Sequence, residues 1–386
     1  MSEPVVVTAA QVRGLRAARQ HLAGRVAQDR LLDVVRVVCG LHAQVFSSAV
    51  LQAAARVEEV DAAVVRELLW ERRTLVKTWA MRGTLHLLPA AELGLWSAAQ
   101  RVLPPRWASP SWLKANGLTA SQARGLYEAL PRVLDGAPLS REALAAAIGD
   151  AVGHDAALEA AMHSWGSVLK PAAMRGGMVF ADDDERRVRF TRPDRWLAGV
   201  ACAPDGTPVG PEPDAAILEV TRRWLSAYGP GTREDLARWF GTPSAASAGR
   251  WIAALGDEVT DVLVEGEARP RKALAGDVAA LEAAVAPREP RLLGAFDHHV
   301  VALLRDPVAL AQDRRPEVSR KAGWITPVLL LSGAMAGVWR HERRGRTLDV
   351  EVRPFRRLPR GAKAGIAEEA ERLARVLGGD LRLRVG

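Results

Sequence analysis

Apolar residues recur at helical spacing along most of the chain, interrupted by short runs in which the spacing drops to two. Thr8-Ala-Ala-Gln11 reads as a capping box opening a helix to about Leu22. Residues 28–39 carry a second helical pattern, with Leu31, Leu32, Val34, Val35, Val37 and Val38 apolar, and residues 48–56 a third. Asp61 caps a helix over 62–72 that turns Val64, Val65, Leu68 and Leu69 inward. Then the period changes. Residues 74–81 and 84–88 are β-prone runs flanking Arg82-Gly83, which predicts a hairpin. Helices followed by a hairpin are the outline of a winged helix.

That outline recurs. Ser140-Arg-Glu-Ala-Leu-Ala145 and Thr232-Arg-Glu-Asp-Leu-Ala237 share the pattern [ST]-R-E-x-L-A at an offset of 92 residues. Each copy has an N-cap hydroxyl, an acid in the first turn and apolar positions behind it. Each follows a longer helix, 120–134 or 214–228, and precedes another helix and a hairpin, 177–180 with 188–191 or 258–265 with 268–273. Pro-rich breaks at 103–110 and 203–213 separate the units. Beyond about 286 the runs become strand-like, at 291–296, 328–331, 337–341 and 347–352, and an amphipathic helix over 366–377 closes the chain. The predicted class is α+β. It has three tandem winged-helix units, 1–110, 111–205 and 206–285, and a C-terminal α/β segment, 286–386.

Composition adds a partner. With 48% hydrophobic and 25% charged residues, the 386-residue chain is ordinary globular protein and not a mostly disordered one. The 53 Lys and Arg outnumber 45 Asp and Glu, for a net charge of +8, and only six of the 53 are Lys. Such a chain fits a polyanion, nucleic acid first; a G+C-rich genome accounts equally for the Arg:Lys ratio. Cys39 and Cys202 form no framework, which fits a reducing cytoplasm. No leader and no membrane-length apolar run is read.

Candidate chemistry is sparse. The eight histidines show no metal spacing, and no phosphate-loop, dinucleotide or hydrolase signature occurs, so neither metal nor cofactor is expected. His42-Ala-Gln44 sets two polar side chains around a small residue after a strongly apolar helix. On an extended segment both would point one way; as a helix end they are a terminal His and a solvated Gln. Trp79-Ala-Met-Arg82-Gly-Thr84-Leu-His86 is dense in groups that suit DNA contact, although Trp79 and Met81 fit a core equally well. Arg186, Arg187 and Arg189 follow an acidic tip in the second predicted wing. Arg343, Arg344 and Arg346 crowd a hairpin tip with Gly345. Asp297-His298-His299 follows a strand, either as part of a lesion pocket or as satisfied core polarity.

Taken together, Leu41-His-Ala-Gln44, Met81-Arg-Gly-Thr-Leu-His86, Leu169-Lys-Pro-Ala-Ala-Met-Arg-Gly176, Gly294-Ala-Phe-Asp297 and Gly337-Val-Trp-Arg340 resemble the bacterial winged-helix DNA glycosylases of the AlkZ/YcaQ type over nearly the whole chain. The resemblance implies three winged helices in a C-shape around duplex DNA. It also implies excision of bulky N7-alkylguanines, with interstrand crosslinks among the family's substrates. Several members confer self-resistance on producers of DNA-alkylating antibiotics. The family's catalytic segment is Gln-x-Gln or Gln-x-Asp. Here it falls on His42 and Gln44, a His-x-Gln form associated with trioxacarcin-type adducts.

The implied enzyme is a monomeric, monofunctional glycosylase working in the cytoplasm at the nucleoid. An N7-alkylated guanine is cationic and already a good leaving group. What remains is to place a water near C1′ and stabilise an oxocarbenium-like transition state. A Gln carbonyl can accept a hydrogen bond from that water, and a His can do the same or act as a weak base. The competing reading is a non-catalytic winged-helix transcription regulator. It would footprint a preferred sequence, typically as a dimer on two half-sites.

Overall fold

The computed structural model describes residues 4–164, 167–182 and 187–386. It is a mixed α+β protein that packs as two compact units. One comprises the chain up to Val65 together with Thr221–Gly386; the other is Arg66–Val220. No helix among the described residues is long and apolar enough to cross a membrane.

In the first unit Thr8 forms the predicted capping box, and the helix Ala9–Arg19 follows. The second predicted helix is shorter than its apolar pattern. A tight turn, Gln28–Arg30, precedes the helix Leu31–Val37, because Cys39 (φ 62°) and Gly40 (φ 95°) turn the chain left-handed into the short strand Leu41–His42. The helix Phe46–Ala54 comes next. Its Leu51 reaches the core of a five-stranded sheet, in the order Arg291–Leu293, Val328–Leu331, Ala334–Arg344, Thr347–Pro354, Asp380–Val385. The last pair is parallel, so its connection must cross over a sheet face, and the helix Ala362–Leu377 supplies it. Ile366, Ala370 and Leu373 from that helix close on Trp339, Val350 and Val352. Ile366, Leu373, Val350 and Val352 each contribute roughly 1.5–3 kcal/mol by burial. A separate three-stranded sheet pairs Val5–Val7 in parallel with Val259–Val264, which pairs antiparallel with Arg271–Leu274.

In the second unit the predicted hairpin is formed by Leu75–Trp79 and Leu85–Pro89, with Arg82 (φ 59°) at its tip. A succession of Ala120–Val133, Arg141–Val152 and Ala156–His163 leads to a small sheet ordered Leu139–Ser140, Arg189–Thr191, Val179–Phe180. Leu126, Leu130, Leu144 and Ile148 fill its core with Trp79, Phe180 and Phe190.

Candidate active site

The His42–Gln44 segment is held from behind by one side chain. Gln52 lies on the inward face of the helix Phe46–Ala54 and is fully buried. Its Oε1 accepts from the backbone N–H of His42 (3.2 Å) and of His298 (3.3 Å). Its Nε2 donates to the carbonyls of His42 (2.8 Å) and Ser48 (3.2 Å). All four hydrogen-bonding positions of the amide are thereby used, and residues 42 and 298 are tied to one point.

One helical turn on, Arg56 donates through both terminal nitrogens to the Asp297 carboxylate, at 2.8 Å each, and to the Gln52 carbonyl at 2.9 Å. Arg56 and Asp297 are almost completely buried. Burial alone would lower the Arg56 pKa, and the Asp297 carboxylate against it outweighs that and raises it. Asp297 also accepts from the N–H of His299 (2.9 Å), capping the short helix His298–Leu303. Gly294 brings this loop onto the helix: a Cβ there would sit 2.8 Å from Leu51 Cβ.

The loop delivers Phe296, whose φ of 58° is unusual for a bulky residue. Its ring stacks on His42, with centroids 5.0 Å apart and planes within 6°. His298 approaches His42 edge-on at 6.3 Å and donates from Nδ1 to the Val38 carbonyl (3.2 Å), which the Tyr228 hydroxyl also reaches (2.7 Å). His42 is buried and Gln44 is exposed. The two residues after Gln44 that matter next, Val45 and Ser47, line a cleft of about 620 Å³ together with Trp324 and Arg320.

Asp297, His298 and His299 are thus among the most buried polar residues of the chain, each at most 1% exposed. They support the His42 segment from below and do not line the cleft. His299 donates from Nδ1 to Gln20 Oε1 (3.2 Å), and Gln20 donates on to the Ala227 carbonyl (2.8 Å). The His299 Nε2 meets no donor or acceptor among the described residues. Burial pushes the His299 pKa down to about 3, with Arg56 and Arg16 adding to the effect against Asp297.

A stability consequence follows from that shift. Unfolded, His299 titrates near 6.5. Between pH 6.5 and 3 the unfolded chain therefore binds a proton that the folded chain refuses. His299 then destabilises the fold progressively as pH falls through this window, and has no effect above it. The expected loss is about 2 kcal/mol at pH 5. Denaturant midpoints of the wild type and of His299→Asn, measured from pH 7 to 5, check this. An unchanged pH slope in the variant would assign the acid sensitivity elsewhere.

The other predicted contacts are scattered in kind. Trp79 is a core residue, 5% exposed and 4.7 Å from Phe180, and offers DNA no surface. His86 is buried and donates from Nδ1 to the Thr84 carbonyl at 2.8 Å. Thr84 in turn donates its hydroxyl to the Met81 carbonyl (3.1 Å). Arg82 stays half-exposed at the hairpin tip. Arg187 is exposed, Arg189 is ion-paired with Asp182, and Arg186 lies outside the described residues. Arg343, Arg344 and Arg346 are exposed: Arg344 pairs with Glu342 at 2.8 Å, Arg343 donates to the Leu377 carbonyl at 3.4 Å, and the Arg346 side chain is 93% exposed. Sequence reasoning missed Gln52, Arg56 and Phe296. Gln52 and Arg56 had a signal, since both are polar and sit one helical turn apart on a face otherwise apolar.

Residues 35–376 match the DNA glycosylase AlkZ-like family. The chain belongs to that family and is an enzyme of the DNA glycosylase class. It is 37% identical over 377 residues to an interstrand DNA cross-link repair glycosylase of Streptomyces sahachiroi, covering 95% of this chain and 96% of the relative. The solved structure of Streptomyces sahachiroi DNA glycosylase AlkZ is similar with a TM-score of 0.85 and 35% identity, over 99% of this chain and all of the other.

Proposed function

We propose that this enzyme hydrolyses the N-glycosidic bond of bulky N7-alkylguanines in duplex DNA, and that its substrates extend to interstrand crosslinks. The observation that carries the reading is the His42–Gln44 segment. It falls where the family's catalytic motif is expected, and it is fixed by Gln52 and the Arg56–Asp297 pair in a chain that matches the family over 35–376.

In this mechanism His42 and Gln44 position the attacking water at C1′ while the cationic base departs. The imidazole, held flat by Phe296, accepts a hydrogen bond or proton from the water, and the Gln44 carbonyl accepts its second hydrogen bond. Charge developing on the sugar is met by these dipoles without a strong acid, because the leaving group is already activated. Asp297, His298 and His299 act as positioning residues beneath the segment.

The helix–helix–hairpin successions, 1–110, 111–205 and 206–285, are read as winged helices, with 286–386 as a C-terminal segment. The exposed arginines Arg343, Arg344 and Arg346 on the hairpin of Ala334–Arg344 and Thr347–Pro354 contact phosphate. The protein acts as a monomer at the nucleoid, in base excision repair and in self-resistance to a DNA-alkylating natural product.

Two experiments test the chemistry and the DNA contacts separately. Duplex DNA carrying N7-alkylguanine adducts is incubated with the enzyme and treated with hot alkali, which breaks the strand wherever a base has been released. Strand breaks at the adduct are expected. Their absence across a panel that includes natural-product adducts would sink the reading. In parallel, replacing Arg343, Arg344 and Arg346 with alanine should weaken DNA binding and flatten its dependence on salt concentration by about one unit of log–log slope per lost phosphate contact. An unchanged slope would remove these arginines from the interface.

A further inference from the structure

We propose that the cleft beside His42–Gln44 is a subsite for a planar aromatic group carried by the lesion, outside the guanine itself, and that Trp324 is its stacking platform. This rests on the glycosylase reading above and adds a substrate class to it.

Three observations converge. The cleft begins where the catalytic segment ends: Val45 and Ser47 line it together with Trp324, Arg320, Val338 and Trp339. Its volume, about 620 Å³, falls in the range that encloses drug-sized ligands.

Trp324 is 47% exposed, and it is the one aromatic side chain among the large apolar residues left exposed in the described chain; the others are valines. Its ring meets Phe296 edge-to-face at 5.0 Å, and Phe296 stacks on His42. The three rings form a ladder from the proposed water-positioning residue to the lining of the cleft. The ladder is built rather than loose. Ala322 (φ 58°) and Gly323 (φ 74°) are both left-handed, and the Arg320 N–H donates to the Trp324 carbonyl at 2.9 Å, closing the turn that presents the indole.

The cations complete the chemistry. Arg340 is paired with Glu351 at 2.5 Å and Arg353 acts electrostatically on the same carboxylate, whereas Arg320 makes no ion pair among the described residues. An exposed indole in a cleft also lined by guanidinium groups suits a flat, π-rich ligand bearing oxygen acceptors. A phosphate alone would leave the indole and the apolar lining residues without a role.

The test compares single-turnover base release by the wild type, Trp324→Ala and Trp324→Phe. Two duplexes of one sequence are used, one carrying N7-methylguanine and the other an N7 adduct with a fused-ring aromatic substituent. Trp324→Ala should lose tenfold or more in kcat/KM on the aromatic lesion, in the range of a lost stacking contact, and stay within twofold on the methyl lesion. Trp324→Phe should recover most of the loss. Equal losses on both lesions would make Trp324 a platform for the base or a structural residue, and no loss on the aromatic lesion would empty the cleft; either result overturns the proposal. If the wild type releases only the aromatic lesion, the decision rests on Trp324→Ala losing activity there, Trp324→Phe restoring it, and affinity for undamaged duplex staying constant. A wild type that releases neither base sinks the glycosylase reading itself. A wild type that works alongside an equally active Trp324→Ala sinks only the subsite.

Discussion

Replacing His42 with alanine is expected to lower kcat for base release by about 100-fold or more, with DNA affinity roughly unchanged. A factor of 100 corresponds to about 2.7 kcal/mol of transition-state stabilisation. The expectation comes from placement: the imidazole is buried against Phe296, and its backbone is gripped at both N–H and C=O by Gln52. Gln44→Ala should act in the same sense. The double variant should lose little beyond the worse single one, because the two side chains hold one water and act as a unit. His42→Gln separates the possible roles of the ring. If accepting a hydrogen bond suffices, this variant retains activity within about tenfold of the wild type; a loss as deep as that of His42→Ala would mean that the imidazole takes the proton. Single-turnover rates and binding isotherms on the same adducted duplex measure all of these. Full activity in both alanine variants would remove the segment from the chemistry.

The helices of this chain were legible because their signals are local. Thr8, Thr119 and Thr232 each form a full capping box in the structure, and Ser140 and Ser244 cap in the simpler way. The hairpins were legible from their change of period. Strand pairings that join distant segments were not. Val5–Val7 pairs with Val262–Val264 across more than 250 residues, and nothing in three valines announces a partner. Asp380–Val385 alternates strictly, yet as an isolated run beyond the closing helix it carries no local sign of the strand it pairs with.

The site divides in the same way. His42 and Gln44 could be picked out by their motif. Asp297-His298-His299 could be picked out too, with a lesion pocket and satisfied core polarity both left open by the sequence. In a sequence, an acid beside two histidines looks reactive. Once buried, the same acid is spent on Arg56 and on a helix cap, and the histidines are spent on carbonyl and amide partners. Burial decides between those readings, and burial belongs to the fold rather than to the triplet.

Arg56→Ala is expected to be among the most destabilising single substitutions in the protein, at about 3–5 kcal/mol. The Asp297 carboxylate is fully buried, and both of its oxygens receive an Arg56 nitrogen. Removing the guanidinium strands that charge where water cannot reach it, and the chain must then protonate the acid or open the loop. The Gln52 carbonyl loses its donor as well. Arg56→Met with Asp297→Asn removes both charges together and should recover a large part of the loss, since an uncharged pair leaves no isolated ion behind. Recovery should stay incomplete, because methionine cannot donate to the Gln52 carbonyl as Arg56 does. A double-mutant cycle on denaturant unfolding measures the coupling. If Arg56→Ala costs less than about 1 kcal/mol, the pair is not holding the loop. The same variant should also lose base release at temperatures where it is still folded, because the backbone of His298 and the backbone of His42 share Gln52 as their anchor. Any freedom gained at Asp297 then passes through one amide to the residue proposed to hold the water.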